Sequence, residues 1–341
     1  MAKGVDIKIL GTILTAVLML SACSRYTHIP STEKHHISFL PHGASLTKAS
    51  QNLGYDEVFG VYSYYVDSPE GTEWTAAFPS ATEYFSDASF AYSDSDGVWG
   101  GNPTPYYWPL SGSLMFAGYC PHQSESDAIT AVSMEPNETD VNPYLVIDFT
   151  QKTTPGEMVD LLWFDVNGVA SEKTVSKASG VIDIEFRHAL SKVSFGFVDT
   201  YGHYKLKSVI LKGVVNKGTF YSGLTAGWLP DLAQVAPYTL LSVEYDLKNK
   251  WTSPDLYIIP QYLDGIFPSL GTNLDSGVDV VLEFDVTDNK NYGSQTIEIP
   301  LKNITERWEL GKSYTYEITV NSDPIEFDTP AFDIKVQTVT M

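Results

Sequence analysis

Seven histidines and two cysteines are the residues of this 341-residue chain best suited to hold a metal ion or attack a carbonyl. His28, His35, His36 and His42 cluster near the N-terminus. His35 and His36 are adjacent, so on a strand their side chains leave on opposite faces and cannot share an ion. They read as solvated histidines of a leader segment. Asp94 and Asp96 in "SDSDG" stand one residue apart, as calcium ligands do, but the later bidentate acid of such a loop is missing, and a tight turn is expected instead. Cys120 has His122 close by, a pairing that suits a thiol nucleophile, yet nothing else in the sequence supports it. A small apolar side chain buried in a strand is the expectation for Cys120. GxSxG, HExxH, paired CxxC and glycine-rich phosphate loops are all missing, and no general acid–base pair stands out among the acids. The chain therefore reads as non-enzymatic, with no catalytic residue, no metal and no cofactor.

Cys23 is suited to covalent chemistry of another kind. Lys3 and Lys8 precede "ILGTILTAVLML", an apolar run of twelve, and "LSAC" follows it. The run is too short to span a bilayer as a helix, so residues 1–22 read as a signal peptide. Leu20-Ser21-Ala22-Cys23 resembles the bacterial lipobox, which implies lipidation of Cys23 and a new N-terminus there. Ser24 in the next position, in place of Asp, resembles lipoproteins passed on to an outer membrane. A lipidated Cys23 leaves Cys120 without a disulfide partner.

These residues sit on a chain dense in strand signals. Alternating or β-branched and aromatic runs such as "EVFGVYSYYV", "SLMFAGY", "YLVIDF", "VIDIEF", "KVSFGFV", "DVVLEFDV" and "YTYEITV" recur, separated by turn signals such as "SDSDG" and "GGNPTP". No stretch carries a capped helical period, so an all-β fold of stacked sandwiches is expected. The polar stretch 171–180 suggests a boundary, dividing the chain into 33–178 and 179–341. Lys and Arg number 21 against 42 Asp and Glu, a formal charge of −21. Such a surface repels phosphate backbones, and nucleic acid is excluded as a partner. The cations are unevenly placed: Arg25, Lys34 and Lys48 lie in the leader, and no lysine or arginine follows until Lys152.

The order of several motifs resembles one family. "YYWPLSGSLMFAGYCP" from Tyr106, "DLLWFD" from Asp160, "FRHALSKVSFGF" from Phe186, "LYIIPQ" from Leu256 and "WELGKSYTYEIT" from Trp308 run in sequence across most of the mature chain. Together, behind a lipobox, they resemble the Bacteroidales fimbrillins, the type V pilus subunits. The resemblance implies two tandem transthyretin-like β-sandwich domains and a structural subunit of cell-surface fimbriae that supports adhesion, whether as stalk, anchor or tip. It also implies export as an outer-membrane lipoprotein precursor, other fimbrial subunits as partners, and a trypsin-like processing protease. On the residues alone, Trp108 and Trp308 are expected as core anchors, His188 as a satisfied core histidine, and Tyr314 and Tyr316 as neighbours on one strand face.

The uneven cations then acquire a meaning. In fimbrillins a cut after a basic residue frees a first strand, and a neighbour's strand fills the groove. Lys48 in "SLTKAS" resembles the family's Thr-Arg-Ala-Thr position, with lysine in place of arginine. Arg25 is the arginine alternative, but a cut there would leave the strand attached. Within the leader, 23–48, "HHISFL" places Ile37 and Phe39 on one face, and residues 36–40 are expected to form the exchangeable strand. At the other end "AFDIKVQTV" places Phe332, Ile334 and Val336 on one face, so 331–340 is either a donor strand or the last strand of its own sheet. A monomeric lipoprotein that binds glycans through exposed aromatics is the alternative from another class. Burial of Trp108, Trp228 and Trp308 would speak against it.

Overall fold

Alternation along the chain becomes a fold made of strands. The computed structural model describes residues 35–43, 54–67, 81–135, 143–165, 181–223, 225–286, 294–321 and 331–341. The first strand, β1 (Ser38–Gly43), is followed by β2 (Phe59–Val66), β3 (Thr82–Ser93), β4 (Val98–Gly101) and β5 (Ser113–Cys120). A hairpin, β6 (Ile129–Glu135) and β7 (Tyr144–Thr150), leads to β8 (Leu162–Asp165) and β9 (Ile182–His188). Strands β1, β4, β3, β2, β5, β8 and β9, in that order, close a barrel, and β1 and β9 pair in parallel.

Burial explains the sequence of β5, in which all eight residues are buried. Leu114, Phe116 and Cys120 point into the barrel with Phe59, Phe90 and Phe164. Met115, Ala117 and Tyr119 join a second core with Ile129, Leu145, Ile147, Phe149 and Phe220. A strand covered on both faces reads as a continuous apolar run, whereas β9 alternates strictly, with Ile182, Ile184 and Phe186 inward. Between β3 and β4, "SDSDG" forms the expected turn; Ser93 Oγ donates to Asp96, and Gly97 sits at φ +69.

The chain continues through β10 (Ser191–Asp199), β11 (Tyr204–Val215), β12 (Lys217–Tyr221), β13 (Gly227–Pro230), β14 (Val235–Leu241), β15 (Tyr245–Asp246), β16 (Trp251–Thr252) and β17 (Leu256–Ile258). A short ribbon, β18 (Ile266–Phe267) and β19 (Thr272–Asn273), precedes β20 (Asp279–Val286), β21 (Ser294–Pro300), β22 (Lys312–Asn321) and β23 (Ala331–Thr340). One sheet holds β16, β17, β10, β22 and β23; a second holds β14, β15, β11, β20 and β21. Val193, Phe195, Tyr316 and Ile318 of the first pack with Leu206, Val209, Val280 and Leu282 of the second in a third core. Trp308 is buried there, its indole N–H donating to Tyr316 Oη at 3.0 Å. Tyr314 and Tyr316 are both buried on the inward face of β22.

The all-β expectation holds, and the boundary between 33–178 and 179–341 does not. Strand β9, placed beyond that boundary, completes the first barrel by pairing with β8 and β1. Strands β12 and β13, also placed beyond it, extend the β6–β7 hairpin into a four-stranded sheet. The polar residues 171–180 lie outside the described residues. The apolar face of β9 is what assigns it: three inward side chains at period two fit the barrel interior.

Candidate functional site

The leader strand is built into the barrel wall. Ile37 and Phe39 are fully buried, and Pro41 is buried on the same face, while His36 and His42 point outward and are exposed. The strand begins two residues later than the expected 36–40 and ends three residues later, at Gly43. His36 contributes an isolated bridge to Tyr107 before Ser38–Gly43 begins. Ahead of the strand, the Ile37 N–H donates to the Tyr106 carbonyl at 2.9 Å and the Trp108 N–H to the His35 carbonyl at 3.0 Å.

Two unequal seams hold β1. Toward β9 it pairs in parallel over five residues, from Phe39 opposite Ile182 to Gly43 opposite Phe186. Toward β4 it pairs antiparallel only at Ser38 and Phe39. Pro41, which has no N–H to give, lies past those two residues, where one side of the strand has no ladder to complete. Phe39 sits deepest: its ring centroid lies 4.9 Å from Phe90, 5.3 Å from Phe116, 5.9 Å from Phe59 and 6.0 Å from Phe164. Burying Ile37 and Phe39 contributes roughly 1.5–3 kcal/mol each, and well-placed aromatic pairs add about 0.5–1.5 kcal/mol. Taking β1 out would open a groove floored by phenylalanines. On the outer face His42 Nε2 meets Asp183 Oδ1 at 2.9 Å, joining β1 to β9 once more.

At the C-terminus, β23 pairs along its whole length with β22, Lys312 opposite Thr340 through Asn321 opposite Ala331. In this chain it is therefore the last strand of its own sheet, and it occupies an edge. Phe332 and Ile334 are half-buried against the third core, and Val336 is 36 % exposed. Cys23, Arg25 and Lys48 lie outside the described residues. The inward role of Pro41, the phenylalanine cage and the His42–Asp183 pair escaped the sequence reading. Continuing the alternation from Ile37 and Phe39 by two residues would have found Pro41.

The other candidates resolve into structural roles. Cys120 does not face His122; its Sγ lies against Glu57 Oε2 and the Val58 carbonyl. Burial, and then the Glu57 and Asp160 charges, push the thiol well above its ordinary range, so it carries no thiolate for attack. His122 instead meets Asp87 and Ser124, and Asp87 also accepts from Tyr119 Oη at 2.6 Å. His188 is buried with Nδ1 2.9 Å from Asp160, the satisfied core histidine expected. Among the described residues no cluster of His, Cys, Asp or Glu could hold a metal ion. Trp108 and Trp308 are buried, as a structural role requires, whereas Trp228 is half-buried, with its N–H on the Ala189 carbonyl at 2.6 Å, and lines a surface pocket with Tyr262 and Arg307.

Several titrating groups share one sign. Burial raises Glu57 and Asp160 above the usual carboxylate range, and burial against the pull of Arg187 pushes Asp165 up to about 6. The hydrogen bond to Asp87 raises His122. A group raised on folding contributes stability that is present below its unfolded pKa and lost as pH rises through its folded one. Asp87 is the opposite case: burial pushes it up, but hydrogen bonds from His122, Tyr119 and Gln123 outweigh that and hold it low, so its contribution is lost only in stronger acid. Thermal unfolding should thus have a higher midpoint near pH 5 than near pH 8. Asp165 supplies roughly 1 kcal/mol of the difference, and Asp165→Asn should shrink it.

The comparisons agree with this architecture. The family profile described as fimbrillin-like matches residues 47–335. A fimbrial protein from Bacteroides vulgatus shares the fold at a TM-score of 0.59 and 14% identity, with 90% of this chain and 99% of that one covered. A protein from Bacteroides uniformis ascribed to cell adhesion does so at a TM-score of 0.53 and 13% identity, over 89% of this chain and 98% of that one. No curated protein matches. With the profile spanning most of its length, the chain belongs to the fimbrillin-like family.

Proposed function

We infer that this chain is the precursor of a cell-surface fimbrial subunit, anchored to the outer membrane by lipid on Cys23 and assembled by strand exchange. A trypsin-like protease cuts after Lys48, β1 leaves the barrel, and a strand from another subunit takes its place. The observation that carries this reading is the position of β1: a short strand held by two residues on one side, filling a cage that runs to the barrel's centre. Chain order supports it. Of the three leader cations only Lys48 follows Gly43, so only a cut there severs β1 from the rest, while a cut at Arg25 or Lys34 leaves it attached. The family profile begins at Thr47, beyond β1. Added-strand pairing supplies ladder hydrogen bonds as well as apolar burial, and cleavage makes the exchange irreversible.

Limited trypsin digestion of the full chain, followed by sizing and terminal sequencing, tests this. The expected result is a new N-terminus at Ala49 and a ladder of oligomers, with Lys48→Gln keeping β1 attached and remaining monomeric. A chain trimmed at Lys48 that stays strictly monomeric would sink the reading.

A further inference from the structure

Among the described residues, Trp99, Trp108, Trp163, Trp251 and Trp308 are all buried in the cores, and Trp228 on β13 is the exception. It lines a cavity of about 350 Å³ whose other walls come from residues 260–262 and 307–310, with Phe267 and Ser269. That volume lies within the range of small-molecule sites. Neither β1 nor β23 contributes a residue to it.

The wall groups are fixed in place. Trp228 donates its N–H to the Ala189 carbonyl, and its ring packs on Phe220 at 5.4 Å and Phe149 at 5.8 Å. With its one polar atom occupied, the indole offers the cavity only ring surface. Tyr262 is half-buried, bridged through its backbone to Arg307, with its ring edge-on to Phe267 at 6.2 Å. Gln261 is no ligand group, since its amide accepts from the Val215 N–H and donates to the Gly213 carbonyl. Arg307 and Glu309 supply the charge. Arg307 Nε and Nη2 both donate to Glu309 Oε1, at 3.1 and 2.6 Å, and Nη1 donates to Tyr262 Oη at 3.3 Å. A guanidinium has more N–H groups than these contacts use, and Glu309 Oε2 takes neither Arg307 bond. The pair therefore keeps both donors and an acceptor for a ligand.

This pairing selects the charge of the ligand. An anion meets a guanidinium already matched by Glu309, on a chain of formal charge −21. A cation meets Arg307. A wholly apolar molecule would strip water from the ion pair without replacing its hydrogen bonds. A neutral molecule with adjacent hydroxyls suits every wall. Each hydroxyl both donates and accepts, and the C–H bonds of a saturated ring match the electron-rich faces of aromatic side chains. We propose that this cavity binds a neutral pyranose sugar, stacked on Trp228 and Tyr262 and hydrogen-bonded through neighbouring hydroxyls to Arg307 and Glu309. Because β1 and β23 do not line it, the site would serve a single subunit and a fibre alike.

Saturation-transfer NMR on the full-length chain tests this. The probes are the methyl glycosides of galactose, glucose, mannose and N-acetylglucosamine, beside glucuronic and N-acetylneuraminic acids. The expected result is transfer to the ring protons of at least one neutral glycoside and none to the acids. Arg307→Ala should weaken that binding about tenfold or more, as loss of hydrogen bonds from a charged donor does. Trp228→Leu should abolish it. Since Trp228 also packs in the core, the deciding variant is Arg307→Ala, whose side chain is 49% exposed. No transfer to any neutral glycoside, or transfer that Arg307→Ala leaves unchanged, overturns the assignment. Preferential binding of the acids overturns it as well. None of these outcomes depends on whether trimmed chains form oligomers, so this site and strand exchange stand or fall separately.

Discussion

Phe39→Ala should destabilise the uncut chain by about 3–5 kcal/mol, read as a shift in the denaturant midpoint at unchanged slope. Phe39 is fully buried with four phenylalanine rings around it, and these belong to β2, β3, β5 and β8. Those strands form much of the barrel wall, and a ladder-paired wall cannot collapse far onto a lost ring, so a cavity should remain. Against a typical domain stability of about 5–15 kcal/mol, this is a large share from one side chain of a strand with six residues. Val336→Ala serves as the internal contrast, because that side chain is 36 % exposed on an edge strand and should cost about 0.5 kcal/mol or less. Equal effects at the two positions would mean that β1 does not seal the barrel.

What was readable in the sequence was whatever leaves a local trace. Period-two alternation marks Ile37 and Phe39, and it marks Phe332 and Ile334, because a strand with one buried face must alternate. The tight turn at Asp94–Gly97, the buried tryptophans at 108 and 308 and the core histidine at 188 were legible for similar reasons. Barrel closure left no such trace. It depends on β1 pairing in parallel with β9, Phe39 with Ile182, across most of the first half of the chain. Nothing near either strand records the other, and the polar stretch before β9 then passed for a domain boundary. The sheet formed by β12, β13, β7 and β6 was hidden in the same way. The functional weight of Pro41 and Asp183 was equally out of reach, since it arises only where β1 meets its neighbours.

The second large effect concerns the groove itself. If burial of Ile37 and Phe39 is what holds β1, a free strand carrying those residues should compete with a neighbour's strand for the same place. The covalent form has the advantage of being tethered, and a cut at Lys48 removes that advantage. A separate peptide in excess should then cap the groove of each trimmed chain and leave no site for growth. Its two outward histidines keep it soluble, and its inward residues supply the affinity.

The most direct measurement adds a synthetic His36–Gly43 peptide in excess while the full-length chain is trimmed at Lys48, with oligomer size followed by light scattering. Oligomers should grow without peptide, stop at the monomer with it, and grow again when the peptide carries Phe39→Ala. Oligomers that grow equally well beside the intact peptide would contradict the claim that a detachable strand guards the site of assembly.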